Sequence, residues 1–373
     1  MVTPARAYLV PALACLIAAC GSRAGTDGDS GATDAAGEEP AGDTAAEPDA
    51  PDADVPDVAE GDAPDAPDDG WSVTFFVVGD THCDPDPDPG HVATVAAIER
   101  VAAEGTWPTE VDGAPTGFDP VPVGEPAGVV IVGDLTGSGD VSPWSNELET
   151  FRRFFENGYG DEAVSFPAYV GLGNHDLDRD DLVADMYREQ MWQYVEDRHM
   201  GPDAPVPVGG FDPASRCYAW DWEGLHLVQL HKHAGDTTHG HASGLAWLAD
   251  DLSALAPGHP VVLLQHYGLD AFGMEDRWWT DTDRADFADV IGPHRVIAIV
   301  AGHSHYAMSY VWDGWRVIQV NNAKAEIGEG NDDGNGSFAI IRVTDTRLDM
   351  ITCRWLDETG AYEFVMPGLR LDI

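Results

Sequence analysis

Short runs of Val, Ile, Leu and Phe recur along the chain after residue 71, and each run ends in polar residues. They occupy positions 73–79, 129–132, 168–171, 261–265 and 296–300. Continuous apolar runs of this length are typical of β-strands that are buried on both faces. The pattern therefore predicts at least five core strands with polar loops at their ends.

Between these runs the apolar spacing becomes helical. Helices are predicted over 91–104, 142–157, 180–197 and 243–255. Ser142 supplies an N-cap for the second of them, with Pro143 in its first turn, and Ser243 caps the last.

The second half of the chain also contains paired strand patterns. Predicted pairs cover 217–222 with 225–230, 310–312 with 315–320, and 338–343 with 348–355. Asp313-Gly314 is a strong hairpin turn signal. Strands that alternate with helices early and pair as hairpins late predict an α/β fold with two mixed β-sheets packed as a sandwich flanked by helices.

The composition changes abruptly at Trp71. Residues 21–70 carry 16 acidic residues against one Arg and almost no large apolar residue. Such a segment cannot bury enough surface to order itself. The chain is therefore predicted to have a disordered acidic linker over 20–70 and one folded domain over 71–373.

The N-terminus has the pattern of a targeting segment. Arg6 precedes an apolar stretch over 7–19 that is too short to span a membrane as a helix. Its end, Ile17-Ala18-Ala19-Cys20-Gly21, resembles the bacterial lipobox. The resemblance implies a signal peptide over 1–19 and a lipid on Cys20, with an ordinary secretory signal as the alternative. The expectation is an exported cell-envelope lipoprotein held on a lipid bilayer, on the periplasmic side or at the cell surface. Gly21 slightly favours the outer membrane.

The predicted domain is acidic in its own right. Residues 71–373 hold 50 acidic against 17 basic residues, and Lys232 and Lys324 are the only lysines. Such a surface repels nucleic acid and anionic lipid, so we expect no nucleic-acid partner. It also repels phosphate esters, which metal charge and a few local donors would have to hold. The alternative is that the acidity serves solubility.

Five polar blocks hold His, Asp and Asn in a fixed order. They are Asp80-Thr81-His82, Gly133-Asp134, Gly173-Asn174-His175-Asp176, His266 and Gly302-His303-Ser304-His305. Four of them follow an apolar run, and ligands at strand ends are how α/β folds build active sites. Nitrogen and oxygen ligands of these types suit divalent metals. The blocks therefore indicate a two-metal site.

In this order the blocks resemble the calcineurin-like metallophosphoesterase superfamily, whose pattern is D-x-H, G-D, G-N-H, H and G-H-x-H. The resemblance spans 80–305. It implies a four-layer α/β/β/α fold and two divalent or trivalent metal ions, Mn, Fe or Zn, whose bridging hydroxide attacks phosphorus. Matched block by block, the resemblance implies that one metal is held by Asp80, His82 and His305, and a second by Asn174, His266 and His303. It implies that Asp134 bridges the two metals. It also implies that His175 is a proton donor or charge stabiliser.

Two departures limit the assignment to a subgroup. No Tyr follows Asp134 shortly, and His82 stands where purple acid phosphatases usually have another residue, so a ferric–tyrosinate site is not implied. The block Gln265-His266-Tyr267 also lacks the His-His-Pro of some branches.

Several other residues have two interpretations each. His231 ends a predicted strand and is a candidate substrate contact. Lys324 follows a predicted strand and is either a substrate contact or a solvated charge. Asp176 either orients His175 or caps backbone. The aromatic insert 267–283 is either a lid or a packing segment. His233, His239 and His241 form either a third metal site or a hydrated loop. Cys217 and Cys353 form either a disulfide or two free thiols.

The expected reaction is hydrolysis of a phosphate mono- or diester of a small molecule or lipid. One alternative is a phosphodiesterase that acts on lipid head groups or nucleotides. An alternative from another class is a surface binding module that keeps its metals without catalysis. The oligomeric state is open.

Overall fold

The computed structural model describes residues 70–86, 88–269, 278–324 and 336–373. The predicted signal peptide, Cys20 and the linker up to residue 69 lie outside these ranges. Within them, no helix combines the length and the apolar character that a membrane crossing requires.

Seventeen strands and six helices make up the described part of the chain. The strands are β1 (Ser72–Val78), β2 (Glu110–Val111), β3 (Ala114–Pro115), β4 (Val129–Val132), β5 (Val141–Ser142), β6 (Ser145–Asn146), β7 (Ala168–Gly171), β8 (Gly210–Phe211), β9 (Tyr218–Trp222), β10 (Leu225–Gln229), β11 (Pro260–Gln265), β12 (Arg295–Ala301), β13 (Met308–Trp312), β14 (Trp315–Gln319), β15 (Ser337–Thr344), β16 (Arg347–Trp355) and β17 (Tyr362–Asp372). The helices are α1 (Pro89–Glu104), α2 (Glu147–Phe155), α3 (Asn174–Leu177), α4 (Ala184–His199), α5 (Leu245–Ala254) and α6 (Asp281–Ile291).

Most strands belong to two mixed sheets. The first has the order β17-β16-β15-β1-β4-β7, and the second has the order β13-β14-β12-β11-β10-β9-β8. Strands β1, β4 and β7 run parallel in the first sheet, as do β10, β11, β12 and β14 in the second. The remaining pairings in the two sheets are antiparallel.

The core explains why the strand runs are apolar without interruption. In β11, Val262 and Leu264 pack in one cluster with residues of the first sheet. Their neighbours Val261 and Leu263 pack in a second cluster with Leu248 of α5 and other residues of α5 and α6. Alternate side chains are thus buried on opposite faces. This arrangement confirms the predicted α/β sandwich of two mixed sheets with flanking helices.

Polar side chains also cross between the sheets. The Tyr218 hydroxyl donates to the Val170 carbonyl over 2.9 Å, and the Gln229 amide donates to the Ile131 carbonyl over 2.8 Å. Both contacts are buried, and a buried polar group without its partner costs free energy. They therefore fix how the strand ends of one sheet face those of the other.

One predicted helix start is wrong. Ser142 does not cap a helix, because it pairs with Ser145 in the short hairpin β5–β6. Helix α2 begins at Glu147 instead, and the Asn146 side chain accepts a hydrogen bond from the Glu149 amide over 3.0 Å. The hairpin uses the residues that would have formed the first turn.

Cys217 and Cys353 are both free thiols in buried positions. Cys353 lies in β16 of the first sheet, whereas Cys217 precedes β9 and packs in the cluster beneath α5. The disulfide alternative is therefore not what the structure shows.

Candidate metal centre

The seven predicted metal ligands lie in loops that follow parallel strands of both sheets. Those in the first sheet follow β1, β4 and β7, and those in the second follow β11 and β12. Because carboxyl ends of parallel strands share one edge of a sheet, loops far apart in sequence meet there. The seven ligands are Asp80, His82, Asp134, Asn174, His266, His303 and His305.

One cluster of ligand atoms forms around Asp80. The His305 Nε2 lies 3.4 Å from the Asp80 Oδ1, and the His82 Nε2 lies 3.1 Å from the His305 Nε2. The backbone amide of His303 donates to both Asp80 oxygens, over 3.0 and 2.9 Å. Three potential ligand atoms thus converge here, and Asp80 is joined to the loop of the opposite sheet.

A second cluster forms around Asp134. The His266 Nε2 lies 3.2 Å from the Asp134 Oδ2 and 2.9 Å from the Asn174 Oδ1. His303 completes the cluster, and a third triplet of His82, Asp134 and His175 connects it to the first. Asp134 therefore occupies the position between the two clusters.

The backbone conformation of the ligand residues sets the direction of their side chains. Five of the ligands have positive φ angles: Asp80 at 52°, His82 at 40°, Asp134 at 52°, His303 at 72° and His305 at 55°. Residues other than glycine rarely adopt this conformation, and each case costs about 1–3 kcal/mol. The surrounding fold therefore maintains strain at the site.

Glycines in the blocks provide room for ligands from other blocks. A Cβ atom on Gly133 would overlap the His266 ring, and one on Gly173 would overlap the Asp134 carboxylate. A Cβ on Gly302 would come within 2.8 Å of the Asp80 Oδ2. The glycine of one block is thus required by the ligand of another.

Hydrogen bonds set the tautomers of two site histidines. The Nδ1 of His266 lies 2.9 Å from the Val132 carbonyl, and the Nδ1 of His175 lies 2.6 Å from the Gly137 carbonyl. A carbonyl only accepts, so Nδ1 must carry the proton in both rings. The other nitrogen, Nε2, keeps its lone pair in the neutral ring. Metal-binding histidines are typically held in this way.

Charges and burial at the site favour ionised Asp80 and Asp134 and neutral His82 and His303. Burial opposes ionisation of Asp134, but the neighbouring His266 and His82 outweigh it and hold its pKa below the usual range. Burial lowers the pKa of His303 to about 3 and also lowers that of His82. His266 is the exception: burial opposes its charge, but Asp134 raises its pKa to about 9. A cation bound here would replace that proton.

Residues 73–307 match the calcineurin-like phosphoesterase family over more than half of the chain. The chain belongs to this family. No curated protein matches the chain.

Several solved structures resemble the chain at low sequence identity. A dimetal phosphatase from Danio rerio is 13% identical, with a TM-score of 0.47. The match covers 80% of this chain and 98% of the phosphatase. GAP50, the anchor in the inner membrane complex of Plasmodium, is 12% identical, with a TM-score of 0.49. The match covers 81% of this chain and 89% of GAP50. Vps29 from Entamoeba histolytica complexed with Zn²⁺ is 11% identical, with a TM-score of 0.34. The match covers 80% of this chain and 99% of Vps29.

The Asp176 carboxylate is bound by backbone amides. Its carboxylate accepts hydrogen bonds from the amides of Leu135, Thr136 and Gly173 over 2.9–3.1 Å. Burial raises its pKa to about 6. Of the two alternatives for Asp176, the structure supports the capping role, and it connects the second block to the third. The Gly137 carbonyl, not Asp176, orients the His175 ring.

His231 is buried and hydrogen-bonded through both ring nitrogens. The Leu172 amide donates to its Nδ1 over 3.2 Å, and its Nε2 donates to the Arg216 carbonyl over 2.8 Å. The residue is only 2% exposed and packs against Trp192. Both ring nitrogens are occupied, and His231 supports the end of β7. Substrate contact by His231 stays a prediction that this arrangement does not favour.

Lys324 lies beside the first cluster. Its ammonium group is 2.6 Å from the Asp84 Oδ2 and 3.4 Å from the His82 carbonyl. The structure thus places this cation next to the loop that carries His82. Substrate contact by Lys324 stays a prediction.

The aromatic insert and the histidine-rich loop have mixed outcomes. Trp278 meets the His303 ring edge-on at 4.5 Å between centroids, whereas Trp279 is buried in the core; residues 270–277 lie outside the described ranges. His239 contacts Asp178 at 3.2 Å, and His241 stacks on Trp192. In the described ranges, neither residue belongs to a cluster of potential metal ligands.

The structure contains a cavity that the sequence did not indicate. It has a volume of about 360 Å³ and adjoins the second cluster. Its lining residues are Gly137, Ser138, Asn174, His175, Asp178 and Arg179. The one available signal was the position of Arg179, a basic residue five positions after Asn174 in a strongly acidic chain.

Proposed function

We propose that this phosphoesterase family member is a metal-dependent hydrolase of phosphate mono- or diesters. The observation that supports this most is the convergence of all seven predicted ligands and His175 at the facing strand ends of the two sheets. The first metal would be held by Asp80, His82 and His305, the second by Asn174, His266 and His303, and both by Asp134.

The residues present fit a pair of metal ions. Two carboxylates, one amide oxygen and four imidazoles offer the mixed oxygen and nitrogen donors that Mn, Fe and Zn accept. The Nδ1–H of His266 is already directed to a carbonyl, which leaves Nε2 for a metal. Bound metals would neutralise charge on the phosphoryl oxygens and lower the pKa of a coordinated water.

His175 would act on the substrate. It is the exposed member of the third triplet, and its ring meets the His82 ring edge-on at 4.5 Å between centroids. The hydrogen bond to the Gly137 carbonyl fixes the ring and leaves Nε2 for a group in the cavity. In the protonated form Nε2 donates a hydrogen bond to a phosphoryl oxygen or a proton to the leaving alcohol.

The purified full chain is expected to hydrolyse p-nitrophenyl phosphate or bis(p-nitrophenyl) phosphate after loading with Mn, Fe, Zn or Co. Release of p-nitrophenol measures turnover, and elemental analysis measures the bound metal. Treatment with a chelator should remove the activity, and the same metal should restore it. If the chain binds two metals but cleaves neither ester, the hydrolase proposal fails and the binding module is favoured.

We further propose that the protein is exported and anchored to a bilayer through a lipid on Cys20. The lipobox-like sequence and the acidic segment after it support this proposal. One acyl chain alone binds a membrane weakly, but several together give a stable anchor. In a bacterial host, Cys20→Ser should move the protein from the membrane fraction to the soluble fraction. Unchanged membrane retention would contradict the lipid anchor.

A further inference from the structure

The cavity beside the second cluster contains one permanent cation among its lining residues. Arg179 lines it together with the predicted metal ligand Asn174 and the exposed His175. Cavities of about 300 Å³ and above are large enough for a small molecule. A ligand that fills this one can therefore contact the proposed metal site and the Arg179 guanidinium at once.

The Arg179 guanidinium is positioned by its neighbours. Its Nε is 2.6 Å from the Asp181 Oδ2, its Nη1 is 3.6 Å from the Asp140 Oδ2, and its Cζ lies 4.8 Å from the centre of the Tyr187 ring. The Nη1 also donates to the Ser138 carbonyl over 3.5 Å. Stacking on an aromatic ring suits Arg more than Lys.

One edge of the Arg179 guanidinium remains available. Among the hydrogen bonds and ion pairs within the described residues, none involves Nη2. The partner Asp181 has 42% of its side chain exposed, and ion pairs of this kind contribute little in water. An anion can therefore bind Nη2 and compete for the remaining donors.

The one carboxylate among the lining residues is paired with a buried cation that it shares with Asp236. Asp178 lies 2.8 Å from the ammonium of Lys232, whose side chain is 2% exposed, and 3.2 Å from the His239 Nε2. The Tyr267 hydroxyl donates to its other oxygen over 3.4 Å. Asp178 therefore opposes an incoming anion less than a free carboxylate would.

We propose that Arg179 forms an anion subsite that binds a second negative charge of the substrate, beside the metals that hold the first. This inference rests on the proposed function. The second charge belongs either to the phosphoryl group itself, as in a monoester dianion, or to an anionic group on the alcohol part. Arg179 thus sets a preference for doubly charged phosphoesters over singly charged diesters.

The test compares Arg179→Met with wild-type full-length protein loaded with metal. Arg153→Met is the control, because Arg153 is exposed and pairs with Glu162 away from the lining residues. Charge-assisted hydrogen bonds of this kind correspond to roughly 10- to 100-fold in affinity. For Arg179→Met we expect kcat/KM for p-nitrophenyl phosphate to fall by roughly 10- to 100-fold. For the bis ester we expect it to fall by less than about threefold. In the Arg153→Met control, kcat/KM should not change for either ester.

A second substrate pair locates the charge. 3-Phosphoglycerate and glycerol 3-phosphate differ in one carboxylate, and released phosphate measures turnover. Similar losses for p-nitrophenyl phosphate, 3-phosphoglycerate and glycerol 3-phosphate, with the bis ester spared, place the second charge on the phosphoryl group that these three monoesters share. A loss confined to 3-phosphoglycerate places it on the alcohol part. Equal losses for all four esters, or no loss for any of them, would overturn the proposal.

Binding of inorganic phosphate separates this proposal from the hydrolase proposal. Calorimetry on metal-loaded protein should show a Kd at least about tenfold weaker for Arg179→Met than for wild type and Arg153→Met. If wild type cleaves no ester but this difference is present, the hydrolase proposal fails and the anion subsite stands. An unchanged Kd, together with no loss for 3-phosphoglycerate, overturns the subsite even if the wild type is an active enzyme.

Discussion

Asp134→Asn should reduce kcat/KM for p-nitrophenyl phosphate by at least about 100-fold while the protein stays folded. Loss of a residue that merely supports a metal ligand typically costs 10- to 100-fold in affinity or activity, and Asp134 is proposed to contact both metals. The amide keeps the shape of the carboxylate, and its oxygen can still accept the His175 backbone amide, which now lies 2.8 Å from the Asp134 Oδ1. What it removes is the negative charge between the two clusters.

Three measurements distinguish a site defect from misfolding. The metal content of Asp134→Asn should fall by elemental analysis, its Tm should stay within a few degrees of wild type, and its turnover should stay low at saturating metal. Asp161→Asn is the matched control, because Asp161 is exposed. Wild-type turnover with full metal content in Asp134→Asn would show that Asp134 does not bridge the metals.

Gly173→Ala should lower turnover by roughly 100-fold, because a displacement of about 1 Å at an active site can cost that much. The added Cβ would overlap the Asp134 carboxylate and lie 2.6 Å from the Asp134 backbone nitrogen. The φ angle of Gly173 is −110°, which alanine adopts without strain, so the collision is the only defect introduced. The expected loss in the free energy of unfolding is about 1–3 kcal/mol.

Gly209→Ala is the control for this substitution. The nearest atom to its Cβ would be the Ala219 carbonyl oxygen at 3.8 Å, an ordinary contact. Thermal unfolding and kcat/KM of both variants, measured side by side with the same metal, separate the collision from a general effect of replacing glycine. Normal turnover of Gly173→Ala would mean that the Asp134 carboxylate can move without consequence.

The sequence was sufficient for the strands that are buried on both faces and for the ligand blocks that follow them. It failed where burial leaves a weak pattern. Strand β17 was not predicted, since it lies at the edge of its sheet, has mostly half-exposed residues and contains Pro367 and Gly368. Helix α6 was missed because Phe287 and Ile291 are its only fully buried residues in an acidic segment.

The side chains around the ligands were harder to assign than the ligands themselves. A histidine at a strand end can face the cleft or complete backbone hydrogen bonds, and the position of His231 in the sequence does not distinguish the two. Arg179 has no pattern at all, because a cavity is formed by loops whose meeting depends on the whole fold. Specificity therefore has to be inferred from packing, whereas the ligand set follows from local order.

The proposed ligands are divided between the sheets, with three loops from one and two from the other. Metals bound across this boundary would act as a non-covalent cross-link between two halves of the sandwich. Their binding free energy would then add to that of folding, by about 2.7 kcal/mol when free metal is at 100 times its Kd. Metal supply would in this way set both the activity of the protein and its lifetime against unfolding.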